Sequence, residues 1–456
     1  MSENTEFGSK LGLIAATVGS AIGLGNIWRF PAEVQSNGGA AFLLVYIICL
    51  FVLGIPVMLA EFSIGRGGRG DAISSFTNIV PGTRWRAVGA LAILATYLIM
   101  AFYMVVTGWT LEYLWFSITG ELYQGATVSN ASDIFGARMN DYLHTDAAPI
   151  IASCLVIFIN IGVLLGGVQK GIEKLSNLLM PILFIILVGL CCVSLSLPGA
   201  SEGIKFFLKP DFSVINGEVL VSGLGQAFFS LSLGMGILIT YSAYYPAHTR
   251  LTQTSVIVSL VSLFVSVLMG FIIFPAVTSF GLGGESLAGE TLVFATLPEV
   301  FLRMPATRII SALFFLLLFV AALTSTVSTG EVAVAYLRDH FKMKRTRAVI
   351  ISLLPLTLCS AVCALSLGSM PQLQIMGKSI FSFLDNITTQ FMLPIAALGG
   401  SLFIGWRAPR SILMGQLTNG GTMKSGFAHI ALWLIRIVAP AGIITVLLWP
   451  VIKDLF

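Results

Sequence analysis

Charged residues are few in this chain. Asp, Glu, Lys and Arg make up 10% of its 456 residues, whereas 56% of the residues are hydrophobic. A soluble globular domain carries about 25% charged residues, so the composition predicts a protein that lies in a lipid bilayer. Histidine is rarer still, and the four histidines fall in or at the ends of the segments that connect apolar runs. We therefore do not expect an intramembrane enzyme with a histidine base or a metal cluster.

Cysteine is also scarce, and the positions of the cysteines argue against a cysteine metal site and against a disulfide-stabilised fold. The six cysteines lie inside apolar runs, and none of them has the CxxC spacing of a metal site: Cys49, Cys154, Cys191, Cys192, Cys359 and Cys363. We interpret them as small core residues and predict no disulfide framework. The chain lacks a soluble basic domain despite its net charge of +4, so we predict no binding of nucleic acid.

Apolar runs of membrane length are abundant. A spanning helix needs about 20 apolar residues. Windows of that length predict eleven spans, numbered here 1 to 11 in chain order: 11–31, 40–64, 88–118, 150–167, 175–197, 222–245, 254–280, 308–336, 348–367, 377–404 and 428–451. The predicted fold is an all-α polytopic membrane protein whose single transmembrane domain comprises residues 1–456.

The orientation of the spans follows from the connecting segments. Lys and Arg are retained on the cytoplasmic side of a membrane. Most of the basic residues outside the spans fall on one side if the N-terminus is cytoplasmic, including Arg66, Arg69 and the basic run from Arg338 to Arg347. An odd number of spans then leaves the C-terminus external.

Span 1 is interrupted where a membrane helix should be most uniform. Its sequence GSAIGLGNIWRF, residues 19–30, contains three glycines followed by Asn26 and Arg29. Glycine lowers helical preference by about 1 kcal/mol relative to alanine, and an unpaired backbone group in lipid costs several kcal/mol. The break therefore needs protein, water or a ligand to satisfy it, which makes it a candidate binding site.

Span 6 is interrupted in the same way, with Ser230, Ser232, Gly234 and Gly236 at mid-depth. Interrupted spans at corresponding positions of two halves are typical of secondary transporters with inverted repeats. We therefore predict an inverted 5+5 repeat with broken helices 1 and 6. Residues 10–198 form its first half, residues 220–405 form the second, and residues 406–456 carry span 11 and the C-terminus.

Several long motifs resemble those of one family. They are GSKLGLIAATVGSAIGLGNIWRFP, NGGAAFLLVYIICLFVLGIPVMLAEFSIGR, GQAFFSLSLGMG in span 6, AALTST in span 8, and a Gly-x9-Pro spacing from Gly171 to Pro181. The chain strongly resembles neurotransmitter:sodium symporters, the bacterial amino-acid branch in particular, over nearly its whole length. The resemblance implies sodium-coupled uptake of an amino acid by alternating access, in a bacterial inner membrane.

The resemblance also implies a substrate site at the two breaks. Leu24, Gly25 and Tyr103 would hold a carboxylate, and the amine would be held by Ala21, Phe229, Ser230 and Ser232. The side-chain pocket would be lined by Ile99, Tyr103, Phe229, Met235, Ser325 and Thr329. Family members that carry monoamines have an aspartate where this chain has Gly23, so the substrate should bring its own carboxylate. A mostly apolar pocket suits a hydrophobic or aromatic L-amino acid.

Two sodium sites follow from the same resemblance. The first would use Ala21, Asn26, Ser230 and Ser262 together with the substrate carboxylate. The second would use Gly19, Ile22, Ala321, Thr324 and Ser325. Taken alone, hydroxyls such as those of Thr324 and Ser325 more often bond back to the carbonyl one turn earlier in their own helix.

Chloride is expected because span 7 lacks an acid. Chloride-independent bacterial relatives carry a carboxylate there, but residues 251–280 contain no Asp or Glu. The resemblance supplies a set of neutral donors suited to an anion: Tyr46, Gln226, Ser230, Ser262 and Ser266. The alternative is that the serines are small residues at helix interfaces and that the symporter is independent of chloride.

The resemblance makes Arg29 and Asp385 the two sides of an extracellular gate, with Phe229 and Tyr103 as a hydrophobic lid. A purely structural ion pair is the alternative. At the cytoplasmic gate Tyr244 and Asp339 match the family. The usual N-terminal Arg and Trp are replaced by Asn4 and Phe7, so Asp339 needs another partner, such as Lys10 or water.

Three acids inside the spans have separate interpretations. Glu61 should bond backbone groups freed by the break in span 1, and Glu112 and Glu331 should be buried, paired or water-facing. An amino-acid sensor built on a transport fold stays an alternative function, since it would retain the same site. Which amino acid is carried, the number of ions and the oligomeric state are left open.

Overall fold

Nine long helices form the bulk of the protein. The structure is a computed structural model that describes residues 6–145, 147–281, 292–422 and 426–453. Nine helices within those ranges are long and apolar enough to cross a membrane: Ala40–Gly68, Arg86–Thr119, Ala148–Leu165, Val168–Leu195, Leu251–Ser279, Thr307–His340, Arg345–Leu367, Ile380–Arg407 and Ala428–Trp449. They correspond to predicted spans 2–5 and 7–11, and the protein is therefore a multi-pass membrane protein.

Span 1 is a bent pair of helices. Its halves, Lys10–Ala21 and Gly25–Ser36, meet at 55°. The side chain of Ser9 caps the first half by accepting the N–H of Gly12. Ile22 then adopts extended backbone angles (φ −82°, ψ 102°) that end the helix. The second half opens with a wide π-helical turn at Gly25–Arg29, so the predicted interruption is present.

Span 6 is divided into two short helices, Gly217–Ser230 and Ile237–Ala243. Between them Ser232, Gly234 and Gly236 adopt left-handed backbone angles, with φ of 53°, 80° and 69°. Gly234 lies so close to the carbonyl of Leu393 that a side chain at this position would collide with it. Among the described residues, nine helices and one bent pair therefore have the length and apolarity of a membrane span, whereas predicted span 6 appears as two helices too short to count among them.

Shorter elements connect the spans. The connecting helices are Ala72–Ile79, Glu121–Tyr123, Ala131–His144, Ala200–Leu208, Phe212–Val214, Leu292–Leu302 and Arg410–Leu417. A two-stranded antiparallel hairpin pairs Gln374 with Ser379 and Ile375 with Lys378. Beyond span 1, π-helical turns also interrupt four of the long spans, at Leu50–Gly54, Val168–Glu173, Thr388–Met392, Phe403–Arg407 and Leu434–Val438.

The core surrounds the two broken spans. The most apolar stretch of span 8 is 72% buried, whereas those of span 4 and span 11 are 39% and 33% buried. Span 8 therefore lies at the centre and spans 4 and 11 at the lipid-facing periphery. The first half of span 1 packs against spans 5, 7 and 8. Its breakpoint is thus enclosed by protein on several sides, as an unwound segment in a membrane requires.

Candidate functional site

Side chains of span 6 bond backbone carbonyls at the break of span 1. The hydroxyl of Ser232 donates to the carbonyl of Ser20 at 2.8 Å, and the Gln226 amide nitrogen donates to the carbonyl of Gly25 at 3.0 Å. Both side chains are buried. Polar side chains of span 6 therefore add hydrogen bonds to carbonyls on both sides of the break, which helps the break to persist in an apolar environment.

Gly23 lies at the narrowest part of the break. A β-carbon added there would lie 2.8 Å from Ser325 Oγ and 2.9 Å from the Tyr103 hydroxyl, closer than such contacts normally are. The same Tyr103 hydroxyl accepts the N–H of Leu24 at 3.3 Å. A side chain at position 23 would therefore require the Ser325 or Tyr103 side chain to shift.

An inner cavity of about 40 Å³ lies between the two breaks. Most residues predicted for the substrate line it: Ala21, Gly25, Ile99, Tyr103, Phe229, Ser232, Met235, Ser325 and Thr329. Two predicted residues lie beside it, since Leu24 faces an outer cavity and Ser230 contacts Tyr46. Sites for small organic ligands usually measure about 300 Å³ or more, so these walls must move apart before such a ligand can enter.

An outer cavity of about 560 Å³ lies next to the inner one. Phe229 and Tyr103 line both cavities and therefore separate them. The ring of Phe229 packs directly over Gly25, and the guanidinium carbon of Arg29 lies 5.0 Å from the centre of that ring. This arrangement places an aromatic partition beneath a cation, as the predicted lid requires.

Arg29 and Asp385 both line the outer cavity. Arg29 forms an ion pair with Glu33, with 3.2 Å between Arg29 Nε and Glu33 Oε1. Glu33 also accepts hydrogen bonds from the Ser222 hydroxyl and from the Asn37 amide. Glu33 is thus a gate-side residue that the sequence analysis missed, although its position one turn after Arg29 could have indicated a competing partner.

Asn26 forms the centre of a buried polar cluster between spans 1, 6 and 7. Its amide nitrogen donates to the hydroxyls of Ser262 and Ser266 at 2.8 and 2.9 Å. The Ser262 hydroxyl in turn donates to the carbonyl of Ser230 at 2.9 Å. The amide oxygen of Asn26 is buried and has no hydrogen-bond partner among the described residues. A buried carbonyl oxygen of this kind suits a hard cation such as sodium.

The five residues predicted for an anion surround the same cluster. Tyr46, Gln226, Ser230, Ser262 and Ser266 are each 0% exposed. The hydroxyl of Tyr46 donates to Ser230 Oγ at 2.9 Å. Each side chain in this set can donate a hydrogen bond and none is a carboxylate, so the structure brings together neutral donors within a low-dielectric region.

A second oxygen cluster joins the first half of span 1 to span 8. The hydroxyl of Ser325 lies 3.2 Å from the carbonyl of Ile22 and 3.4 Å from that of Gly19. Thr324 donates to the carbonyl of Ala321 at 3.0 Å, within its own helix. All five residues predicted for the second sodium site are therefore neighbours. Thr324 thus bonds back to its own helix, as hydroxyls in helices usually do. The hydroxyl of Ser325 instead reaches across to span 1.

Glu61 supports a broken backbone, but not the one predicted. Its carboxylate accepts the N–H of Gly234 in span 6 at 2.7 Å, whereas the sequence analysis assigned it to span 1. The Thr96 hydroxyl donates to the carbonyl of Met235 in the same break. The difference arises because Gly234, in its left-handed conformation, turns a free N–H toward span 2.

Tyr244 and Glu331 belong to one buried network at the opposite end of span 8 from the outer cavity. The Tyr244 hydroxyl donates to Glu331 Oε1 at 3.0 Å. Arg345 binds both oxygens of the same carboxylate, at 3.1 and 2.6 Å, and donates to the carbonyl of Leu164. Glu331 is 0% exposed. Glu331 is therefore buried and paired, which is among the placements predicted from the sequence.

Asp339 lies beside this network, where its ion pair is with Arg338 at 3.4 Å. The sequence analysis offered Lys10 or water instead, and the structure does not pair Lys10 with it. Arg338 also lies 5.9 Å from the centre of the Tyr244 ring. The sequence did not indicate Arg338 as the partner of Asp339, because the side chains of adjacent residues in a helix do not normally face each other.

The N-terminal segment is held by contacts that the motifs did not indicate. Phe7 packs edge-on against Tyr241 at 5.7 Å between ring centres, and Glu6 forms an ion pair with Arg69 at 3.2 Å. The carboxylate of Glu173 accepts the N–H of Gly8 at 2.8 Å and the hydroxyl of Ser9 at 2.6 Å. Asn4 lies outside the described residues. The segment is thus secured to spans 2, 5 and 6.

Two interrupted spans that meet at a buried polar cluster are typical of a secondary transporter. The chain belongs to the Sodium:neurotransmitter symporter family, whose family model matches residues 4–133 and 137–454. This is a family of transporters and not of enzymes, and its membership supports coupling to sodium.

Relatives cover nearly the whole chain. A sodium-dependent transporter of Bacillus subtilis (strain 168) is 35% identical over 450 residues, which are 98% of each chain. The sodium-dependent serotonin transporter of Drosophila melanogaster is 27% identical over 88% of this chain and 70% of its own. The crystal structure of MhsT in complex with L-phenylalanine has a TM-score of 0.88 and 38% identity. It covers 97% of this chain and 99% of MhsT.

Proposed function

We propose that the protein is a sodium-coupled symporter that imports a hydrophobic or aromatic L-amino acid. The observation that carries this proposal is the tight packing around Gly23, where a β-carbon would lie 2.8 Å from Ser325 Oγ. With glycine at this position, no acidic side chain is present there to pair with a carboxylate-free amine. The substrate must therefore carry its own carboxylate. The L-phenylalanine bound by the similar protein MhsT supports the same class of ligand.

The carboxylate would bind where the second half of span 1 begins. The N–H groups of Leu24 and Gly25 lie at the start of that half-helix, whose positive dipole end attracts an anion. Tyr103 already approaches Leu24 at 3.3 Å and would donate its hydroxyl to the carboxylate. The carbonyls of Ala21, Phe229 and Ser230 would receive the amine, with Ser232 beside them.

One sodium ion would bind next to that carboxylate. The unpartnered amide oxygen of Asn26 supports this assignment, with Ala21, Ser230 and Ser262 completing the set. A second ion would bind among Gly19, Ile22, Ala321, Thr324 and Ser325, where oxygens of spans 1 and 8 approach each other. Because the first ion and the substrate share a charged contact, each would strengthen the binding of the other.

Chloride would compensate the charge of these cations. Tyr46, Gln226, Ser230, Ser262 and Ser266 form a buried set of donors without a carboxylate, which supports anion binding beside Asn26. A negative charge at short range in a low-dielectric site would strongly offset the repulsion between two sodium ions. Chloride dependence is therefore part of the proposal.

The transport cycle would open the substrate site to one side of the membrane at a time. Phe229 and Tyr103 already divide an outer cavity from an inner one. Arg29 and Asp385 would close the outer cavity, and the networks around Tyr244 and Asp339 would close the other side. The repeats at 10–198 and 220–405 would move relative to each other. With the predicted orientation, the N-terminus would be cytoplasmic and the C-terminus external.

Uptake into proteoliposomes tests the proposal. We expect a sodium gradient, but not a potassium gradient, to drive accumulation of labelled hydrophobic or aromatic amino acids from a panel. Gly23→Ala should lower uptake, because its methyl group would displace the Ser325 or Tyr103 side chain that lines the inner cavity. Gly162→Ala is the matched control, since a methyl group in span 4 meets nothing within 4 Å. Binding without accumulation would instead support an amino-acid sensor, and accumulation without sodium would refute the coupling.

A further inference from the structure

Arg436 is a charged residue inside span 11, within the membrane helix Ala428–Trp449. Residues 386–453 contain no Asp or Glu, although they include Arg407, Arg410, Lys424 and Arg436. Among the described residues Arg436 has no salt bridge. A charge inside a membrane span is tolerated when it is paired or wet, and this stretch of the chain offers no carboxylate to pair with Arg436.

The guanidinium of Arg436 is held in a fixed position. Its Nε donates to the carbonyl of Gly405 at 2.5 Å, and its Cζ lies 5.4 Å from the centre of the Trp406 ring. The indole nitrogen of Trp406 donates in return to the carbonyl of Arg436 at 3.0 Å. A β-carbon at Gly405 would lie 3.1 Å from Arg436 Cγ, so glycine permits this close approach.

One edge of the guanidinium stays available for a ligand. Nε is used by Gly405, whereas the two terminal nitrogens of Arg436 donate to no residue in the described part of the chain. Those two nitrogens form the parallel pair of donors that binds a phosphate or carboxylate through two hydrogen bonds. The two terminal nitrogens are therefore placed so that they can donate to an oxyanion.

The surroundings identify the source of that anion. Trp406 is 63% exposed and Arg407 is exposed beside it, at the point where span 10 ends. Exposed tryptophan and arginine at the end of a span are typical of the headgroup level of a bilayer. A lipid phosphate at this level would reach the guanidinium from the side, and Arg407 would add a second positive charge.

We propose that Trp406, Arg407 and Arg436 bind the headgroup phosphate of an anionic phospholipid in the leaflet where span 10 ends. Arg436 forms two hydrogen bonds to the phosphate, the indole of Trp406 packs beside the glycerol region, and Arg407 favours a lipid with net negative charge. On the predicted orientation this is the cytoplasmic leaflet. The site is separate from the substrate site and does not depend on the proposed function.

Native mass spectrometry of the purified, full-length protein tests the proposal. Phosphatidylglycerol and phosphatidylcholine are titrated in parallel, and one phosphatidylglycerol per chain should bind with preference. Arg436→Gln should weaken that binding at least about tenfold, because a bidentate charge-assisted contact is lost. Arg347→Gln, which removes an exposed basic residue elsewhere, should leave it unchanged. Inorganic phosphate should not compete, since it lacks the acyl chains that anchor the lipid.

Two further variants keep the test decisive if Arg436→Gln does not fold. Arg436→Lys keeps the charge but loses the paired donors, and Trp406→Leu removes the indole while every charge remains. Both should weaken phosphatidylglycerol binding several-fold. Equal losses in Arg347→Gln and the Arg436 variants would overturn the proposal in favour of a general basic surface. Equal affinity for the two lipids, or displacement by inorganic phosphate, would overturn the assignment to an anionic lipid.

Discussion

Arg29 is paired with Glu33, one helical turn further along span 1, at 3.2 Å between Arg29 Nε and Glu33 Oε1. Asp385, the partner that the family resemblance implies for the gate, lines the same outer cavity. Glu33 and Asp385 thus place two carboxylates on the cavity that Arg29 lines. Glu33 would then hold the gate open by competing for one guanidinium.

Neutralising Glu33 should therefore favour the closed gate. We expect Glu33→Gln to slow the dissociation of bound amino acid, by roughly two- to fivefold for a partly exposed ion pair worth up to about 1 kcal/mol. The measurement is the release of labelled substrate from purified protein. Glu202→Gln breaks the exposed pair with Lys205 and is the control. Unchanged or faster release in Glu33→Gln would contradict the competition.

Pairing of Arg29 with Asp385 has its own test in a double-mutant cycle. Arg29→Ala should impair transport more than equilibrium binding, because the residue lines the outer cavity, where the proposed gate would close, and not the inner cavity. If the two residues interact, the combined variant should lose less transport than the sum of the single losses, both expressed as free energies. Strictly additive losses would mean that the pair does not form during the cycle.

The amide oxygen of Asn26 should couple sodium to substrate. We expect Asn26→Ala to lower the affinity for sodium roughly tenfold, and also to lower the affinity for the amino acid at subsaturating sodium, because less of the shared ion is then bound. Binding of labelled substrate across a sodium titration measures both. Asn160→Ala is a matched control, since Asn160 is also 0% exposed and also has an unpartnered amide oxygen, but lies in span 4. A loss of only one affinity would contradict the shared ion.

Glu331 and Arg345 should behave as one unit. Removing either side chain leaves its buried partner uncompensated, which in other proteins costs about 3–5 kcal/mol for a fully buried pair and less where, as here, Arg345 keeps some exposure. Thermal unfolding should therefore occur at lower temperature in Glu331→Gln and Arg345→Gln. The variant that combines both substitutions should lose less stability than the two single variants lose in total. Additive losses would show that the bidentate contact contributes nothing.

Span positions could be predicted well from the sequence, because length and apolarity alone determine whether a helix can cross a membrane. The breaks in spans 1 and 6 were predictable for a related reason. Gly23, Gly25, Gly234 and Gly236 weaken the helix near the middle of a span, where membrane helices are normally uninterrupted. Most residues that line the inner cavity could be predicted because long motifs of the family occur in this chain in the same order. Each of these signals is local in the chain.

The partners of charged residues could not be predicted in the same way. Glu61 bonds Gly234 and not span 1, Arg29 pairs with Glu33, and Glu331 pairs with Arg345. Such pairs depend on which way a helix is rotated and on how far a neighbouring loop reaches, and apolar periodicity does not carry that information. The residues that hold the N-terminal segment, Glu173 and Arg69, were missed for the same reason.

The last prediction is chloride dependence. Replacing chloride by gluconate should depress sodium-driven uptake, because span 7 supplies no carboxylate near Asn26. Ser266→Glu should restore uptake without chloride, since Ser266 Oγ lies 2.9 Å from the Asn26 amide nitrogen and a fixed carboxylate there would take over the anion's electrostatic role. Ser266→Gln, similar in size but uncharged, is the control and should not restore it. Wild-type uptake indifferent to chloride would instead require Glu61, the buried acid bonded to span 6, to balance the sodium charge.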